Sequence, residues 1–420
     1  MTSSKTRLQP DSGSFTTQWL RQQLFKRFSM LEHGQVTLVE GDNEYQFGDE
    51  QAPPELRARV IVLDPRMYRF IAFGGTVGAG ESYMEGHWEA EDLTAVIRVF
   101  VRNKDTMNQL QRGLARLSAP VLQWLHKRNR NTRDGSARNI AAHYDLGNDF
   151  FALFLDSNMM YSSAVYRDPG ETLETASDHK LDRICRKLEL KPGDNVLEIG
   201  TGWGGFAIFA ASHYGCHVTT TTISQEQHDQ AKRRIEDAGL TDRITLLKKD
   251  YRDLDGQFDK LVSIEMIEAV GHHYLDTYIQ QCAALLKPDG MFLLQAITIQ
   301  DQLYDQAIRG VDFIQRYIFP GSFIPSINAI CSAVARVSDL RLFHLEDIGP
   351  SYALTLREWR RRFLSRLDEV RQQGYPETFI RMWEYYLCYC EGGFLERSIG
   401  NAQMLLTKPG SRRESLVPAL

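Results

Sequence analysis

From Asn195 onward, short apolar runs alternate with segments of helical periodicity, and that alternation limits the possible folds more than any other feature. Asn195–Gly200, His217–Ile223, Ile244–Lys248, Lys260–Met266 and Met291–Thr298 read as strands. Between them, Gln225–Ala238 and Tyr274–Leu286 carry apolar residues at helical spacing. Strands of this kind need cover on both faces, so the pattern predicts an α/β fold with a parallel sheet between helical layers. Ligands in such folds bind at the carboxyl ends of the strands.

A chain of 420 residues is too long for one ordinary core and predicts two domains. Upstream of the alternating part, residues 14–32 place Trp19, Leu20, Leu24, Phe25, Phe28 and Leu31 at helical spacing, with Arg21, Lys26 and Arg27 between them. That is an amphipathic helix with a basic side. Strand-like runs follow at Gln35–Val39 and Arg59–Leu63, then the glycine-rich stretch Gly74–Glu81 and a helix near Asp92–Arg102. Residues 1–125 thus read as a small mixed domain, 126–142 as a basic linker and 143–420 as the larger domain. Within the linker, Lys127, Arg128, Arg130, Arg133 and Arg138 stand against Asp134 alone. It reads as a solvated hinge, or as a segment drawn to anionic lipid headgroups at ~1 kcal/mol per basic residue near the surface.

Several function classes are disfavoured. No apolar run approaches the ~18 residues that span a bilayer, and the N-terminus has no apolar core of a secretory signal. Cys185, Cys216, Cys282 and Cys331 are scattered, no CxxC pair is present, and reduced thiols in the cytoplasm are expected. A net charge of −5 argues against general nucleic-acid binding.

The strongest local feature is VLEIGTGWGG, Val196–Gly205, in which a strand runs into glycines and then a helix. Glycines there allow a tight turn and close approach of a ligand to the backbone. Gly200, Gly202 and Gly205 also satisfy the dinucleotide pattern G-x-G-x-x-G. An NAD site, however, calls for a carboxylate at the end of the next strand, about 20 residues on. That strand ends in Thr222, Ile223 and Ser224, with Gln227 beyond, while Glu226 lies inside the helix turn. A dinucleotide is therefore disfavoured.

The sequence at this point resembles the cyclopropane-fatty-acyl-phospholipid synthases and mycolic acid methyltransferases. The resemblance rests on HYDLGNDFFALFLD (143–156), MMYSSAVY (159–166), VLEIGTGWGG, TISQEQ (222–227) and DYRD (250–253). It continues through SIEMIEAVGHHY (263–274), LLKPDG (285–290), FIQRYIFPG (313–321), SYALTLREW (351–359) and YYLCYCEGGF (385–394). It implies a Rossmann-like S-adenosylmethionine-dependent methyltransferase domain behind a smaller mixed N-terminal domain. By position, Tyr161 and Ser162 would contact the methionine part of S-adenosylmethionine, and the loop with Gly200, Gly202 and Gly204 its backbone. Thr222, Ser224 and Gln227 would hold the ribose, and Tyr251 and Arg252 the adenine. Without the resemblance, Tyr251 reads as a strand-end aromatic of the core.

An alkene is a poor nucleophile and attacks a sulfonium methyl only when held in line with it and away from water. The attack leaves a cation, which must lose a proton from the new methyl group to close a three-membered ring. The site needs apolar walls, electron-rich groups and a base, and no metal is expected. The resemblance supplies the base as a bicarbonate ion. Glu268 and Tyr352 match its side-chain ligands and Ile297 a backbone contact. Two positions depart from the family: Ser163 stands where Cys is usual, and Gln295 where His is usual. Gln can donate a hydrogen bond to an anion but cannot carry a proton. Gln stands there both in some cyclopropane-forming relatives and in relatives that add a plain methyl or methylene branch. Glu265, at the same strand end, reads as a decoy for Glu268, which by itself would pass for a helix-start carboxylate. Cys390 matches a Cys proposed as a nucleophile in the family. A thiolate has no task in this chemistry, and a small buried hydrophobe is the competing reading.

The block GAGESYMEGHW (78–88) matches the phospholipid-modifying members. It implies unsaturated acyl chains of membrane phospholipids as substrate, a cyclopropane ring as product, and a cytoplasmic protein reversibly bound to the inner membrane face. Homodimer formation is left open. The alternatives are a fatty-acid C-methyltransferase adding a methyl or methylene branch, a methyltransferase of soluble acceptors, and a non-catalytic lipid-binding protein that senses S-adenosylmethionine.

Overall fold

A computed structural model describes residues 15–103 and 146–414. The basic segment 126–138 and the start of the block at His143 lie outside the described residues. The chain divides into two compact units, Met1–Val121 with Tyr375–Gly392, and Leu122–Gly374 with Gly393–Leu420.

In the first unit, β1 (Gln35–Glu40), β2 (Asn43–Gly48), β3 (Arg57–Val62) and β4 (Trp88–Ala90) form a sheet in the order β2-β1-β3-β4. The helix Phe15–Phe28 turns Leu20, Leu24 and Phe28 into the unit's core, and its Phe25 ring packs on Tyr45 and Phe47 at 4.9 and 5.1 Å. Most of its apolar stripe is thus consumed within the unit, leaving Phe15 and Trp19 exposed. The glycine-rich stretch falls within the helical segment Arg66–Met84, which is broken at Gly75 (φ 59°). At that break the chain folds back so closely that a Cβ on Gly78 would lie 2.0 Å from the Phe70 carbonyl oxygen. Arg381, from the distant segment, donates to the Tyr83 and Trp88 carbonyls, and Tyr83 donates to Glu384.

The second unit holds β5 (Asn195–Ile199), β6 (His217–Thr221), β7 (Ile244–Leu247), β8 (Phe258–Ile264), β9 (Leu286–Ile299), β10 (Arg341–Asp347) and β11 (Ile399–Thr407). They form a seven-stranded sheet in the order β10-β11-β9-β8-β5-β6-β7. The five strands expected from the alternation pair in parallel. β11 runs antiparallel to β9, and β10 antiparallel to β11. Successive side chains feed opposite cores. Leu197, Ile199, Leu261, Phe292 and Leu294 pack with Ile279 and Ile330 on one side. Val196, Val218, Val262 and Leu293 pack with Leu181 and Phe206 on the other. Among the described residues no helix is long and apolar enough to cross a membrane.

Candidate active site

β5 ends at Ile199, where Gly200 and Thr201 turn their amides onto the Thr221 carbonyl of neighbouring β6 at 3.1 and 3.0 Å. The loop then reaches the helix Gly205–Tyr214. Gly202 has φ +53°, and a Cβ there would meet none of the described residues within 4 Å, so this turn of backbone borders open space among them. Gly205 is the opposite case, since a Cβ would lie 2.5 Å from Met160 Sδ and 2.6 Å from the Asn158 carbonyl oxygen. Arg234 secures that contact by donating to the carbonyls of Ser157, Asn158 and Trp203.

Around this loop the residues expected to hold the ribose and adenine of S-adenosylmethionine follow the ends of β6 and β7, while Tyr161 and Ser162 lie between the helices Asn148–Ala152 and Leu173–Lys187. Thr222 donates to Gln227 Oε1 at 2.9 Å, and Ser224 Oγ caps the helix Gln225–Asp237 by accepting from the Gln227 amide; all three are buried. Tyr251 packs edge-on against Tyr278, and burial raises its phenol above the usual range. Arg252 forks onto Asp250 at 2.8 and 2.6 Å, with its guanidinium carbon 5.4 Å from the Tyr251 ring centroid. Tyr161 sits among Phe151, Trp359 and Phe319. Ser162 Oγ accepts from the buried Lys180 Nζ at 2.8 Å, and burial pulls that ammonium down to about 8.

The carboxylates lie one strand over. β8 stops at Ile264, and Glu265 follows with φ +50°, a left-handed conformation rare outside glycine and costly for Glu. Four donors meet its side chain: the Ser163 amide at 3.0 Å, Gln295 Nε2 at 2.8 Å, Asn401 Nδ2 at 2.5 Å and the Tyr352 hydroxyl at 2.9 Å. The first three share Oε1, and Tyr352 alone addresses Oε2.

Glu268 lies in the short turn Ile267–Ala269 and accepts from the Ile297 amide at 2.6 Å. Its Oε2 is buried without a hydrogen-bond partner among the described residues. Burial, with Glu265 nearby adding like-charge repulsion, raises the Glu268 carboxyl to about 8. Met266, between the two acids in sequence, is the side chain a Cβ on Gly200 would touch at 3.2 Å. The glycine loop and the paired carboxylates are therefore neighbours.

The Gln295 amide is fixed by a relay. Lys187 Nζ donates to Gln403 Oε1 at 2.7 Å, so the Gln403 amide nitrogen must face Gln295 Oε1, which it does at 3.0 Å. The Gln295 nitrogen is thereby turned onto Glu265. Ion pairing with Glu346 compensates Lys187, and the Glu346 carboxyl is held down at about 2.

The residues expected around the base thus divide. Ser163, Gln295 and Tyr352 address Glu265, while Ile297 addresses Glu268. The donors assigned to a bicarbonate ion are spent on a carboxylate of the chain itself, and a second carboxyl stands beside it. That donor set does not fit bicarbonate. Cys390 is half-buried in the helix Glu377–Leu395, within the segment that belongs to the first unit. Sequence reasoning passed over Asn401, Gln403 and Lys187, and set Glu265 aside. The available signal for Glu265 was a carboxylate placed just past the carboxyl end of a strand.

The family described as mycolic acid cyclopropane synthetase matches residues 131–404. The tuberculostearic acid methyltransferase UfaA1 of Mycobacterium tuberculosis is 38% identical over 86% of this chain and 85% of its own length. The cyclopropane-fatty-acyl-phospholipid synthase of Escherichia coli K12 is 36% identical over 88% of this chain and 95% of its own. Among solved structures, the cyclopropane synthase MmaA2 from Mycobacterium tuberculosis superposes with a TM-score of 0.61 at 29% identity, covering 65% of this chain and 98% of that one. A mycolic acid cyclopropane synthase, CmaA1, solved with SAH and CTAB, reaches the same TM-score at 27% identity, over 65% of this chain and 98% of its own.

Proposed function

Because the chain belongs to the mycolic acid cyclopropane synthetase family, and so to the S-adenosylmethionine-dependent enzymes of lipid metabolism, we propose that it alkylates the double bond of unsaturated phospholipid acyl chains. The observation that carries this reading is the adjacency of the glycine loop and the Glu265–Glu268 pair through Met266. Open space at Gly202 and the buried hydroxyls of Thr222 and Ser224 fit a nucleoside, and Tyr161, Ser162, Gly200, Gly204, Gln227, Tyr251 and Arg252 complete the cofactor site. When bound, S-adenosylmethionine supplies an electrophilic methyl group. The protein aligns the alkene with it, keeps water away and holds negative charge where the cation forms.

On this reading the cation loses a proton from the transferred methyl to close a cyclopropane ring. A second product is set beside it because Gln295, which donates to Glu265, cannot carry a proton. After a 1,2-hydride shift the same cation loses a proton from the transferred methyl to leave a methylene branch, or it loses a proton from an adjacent chain carbon to leave a methyl branch beside a retained double bond. Mass spectrometry and NMR of lipids from cells with and without the protein test both. Acyl chains heavier by one methylene unit, with ring or branch resonances, are expected. An unchanged lipid profile with methylated soluble acceptors would contradict the proposal.

A further inference from the structure

Resting on that reading, we infer that Glu265 is itself the proton acceptor of the reaction, its carboxylate standing where the family resemblance puts a bicarbonate ion. A glutamate is held in a left-handed conformation at a strand end, and four donors from four separate segments converge on it. Strain of this kind persists only where surroundings over-determine it. Here they do: the Lys187–Gln403–Gln295 relay leaves the amide nitrogen no other orientation.

The distribution of donors also differs between the two oxygens. Among the described residues Oε1 is saturated by three donors, whereas Oε2 takes only the Tyr352 hydroxyl and keeps a lone pair for a proton. Glu268 is the weaker candidate, because its carboxyl is driven toward the neutral form beside Glu265.

The step balances. The alkene pair forms the new C–C bond to the methyl carbon, the C–S bond breaks, and its electrons stay on sulfur as a neutral thioether. The positive charge passes to the acyl chain. Glu265 Oε2 removes a proton next to that charge, and the released C–H pair closes the ring or forms a double bond. Glu265 then gives its proton to solvent. A proton beside a carbocation is strongly acidic, so the position of the accepting carboxylate matters more than its basicity.

The test uses the full chain, S-adenosylmethionine and vesicles of unsaturated phosphatidylglycerol, with bicarbonate removed or added. The wild type should turn over equally in both, and Glu265→Ala should fall by ~10²-fold or more, as when a positioned acid–base group is lost. Added bicarbonate or formate should restore part of that loss by filling the vacated site. Thermal unfolding gives a readout without turnover: bicarbonate should stabilise Glu265→Ala and leave the wild type unchanged. Retained S-adenosylhomocysteine binding shows the variant folded; if it fails, the wild-type measurements still decide. A wild-type rate or melting temperature that depends on bicarbonate would overturn the inference, as would full activity in Glu265→Ala. A wild type that modifies no lipid would instead sink the alkylation reading, leaving the bicarbonate melting shift to judge Glu265.

Discussion

Two carboxyl groups three residues apart in sequence meet different surroundings. Glu265 faces four donors, while Glu268 has one amide and an unpaired buried oxygen. Folding raises Glu268 from 4.5 to about 8, so the native state holds a proton that the unfolded chain has lost across that window. Its contribution to stability is complete below about 4.5 and fades as pH rises through about 8. Glu268→Gln should therefore flatten the fall of melting temperature over this range, leaving the part due to Glu198, which burial also raises to about 8. Scanning calorimetry across pH checks it, and an unchanged slope would exclude Glu268 as a source. Gln295→Leu removes a donor from Glu265 and leaves the Gln403 amide unpaired, which should cost about 1–3 kcal/mol in denaturant unfolding. None of this relay was legible in the sequence, because Gln403 meets Gln295 only through pairing of β11 with β9, and Lys187 reaches Gln403 from the end of the distant helix Leu173–Lys187.

At the level of elements, the parallel strands were legible because each is a short apolar run between helical segments. β11 escaped because Gly400, Asn401 and Gln403 interrupt its apolar pattern, and β10 because Arg341, His344, Glu346 and Asp347 do so. Those polar residues are the ones that serve the site: Asn401 and Gln403 face the carboxylate network, and Glu346 anchors Lys187. The glycine loop was legible in position, but its glycines are not equivalent. Gly202→Val should abolish S-adenosylmethionine binding by filling open space, while the fold loses only the left-handed preference, about 1–2 kcal/mol. Gly205→Val should instead destabilise the fold itself, because Met160 and Asn158 already occupy the position of its Cβ. Paired calorimetric titration and melting curves separate the two effects. Equal losses of stability in both variants would refute the distinction.

For the molecule as a whole, the proposed function puts the substrate in a membrane, and among the described residues no helix is long and apolar enough to cross one. Phe15 and Trp19 remain exposed on the helix Phe15–Phe28, and the sequence adds a run of basic residues at 126–138. Co-sedimentation with anionic vesicles is expected, weakening as salt screens the surface attraction. Binding to neutral vesicles that is equal at every salt concentration would remove any role for the basic run. The central claim, transfer of a one-carbon unit to an acyl double bond, is met most directly by following the carbon. Purified protein is incubated with S-adenosylmethionine labelled in its methyl group and with unsaturated phospholipid vesicles, and the recovered acyl chains are cleaved and analysed by mass spectrometry. The account predicts the label at the former double bond, in step with S-adenosylhomocysteine release and absent from saturated vesicles. Label that appears in headgroups or soluble acceptors, or S-adenosylhomocysteine released with unmodified chains, would contradict it.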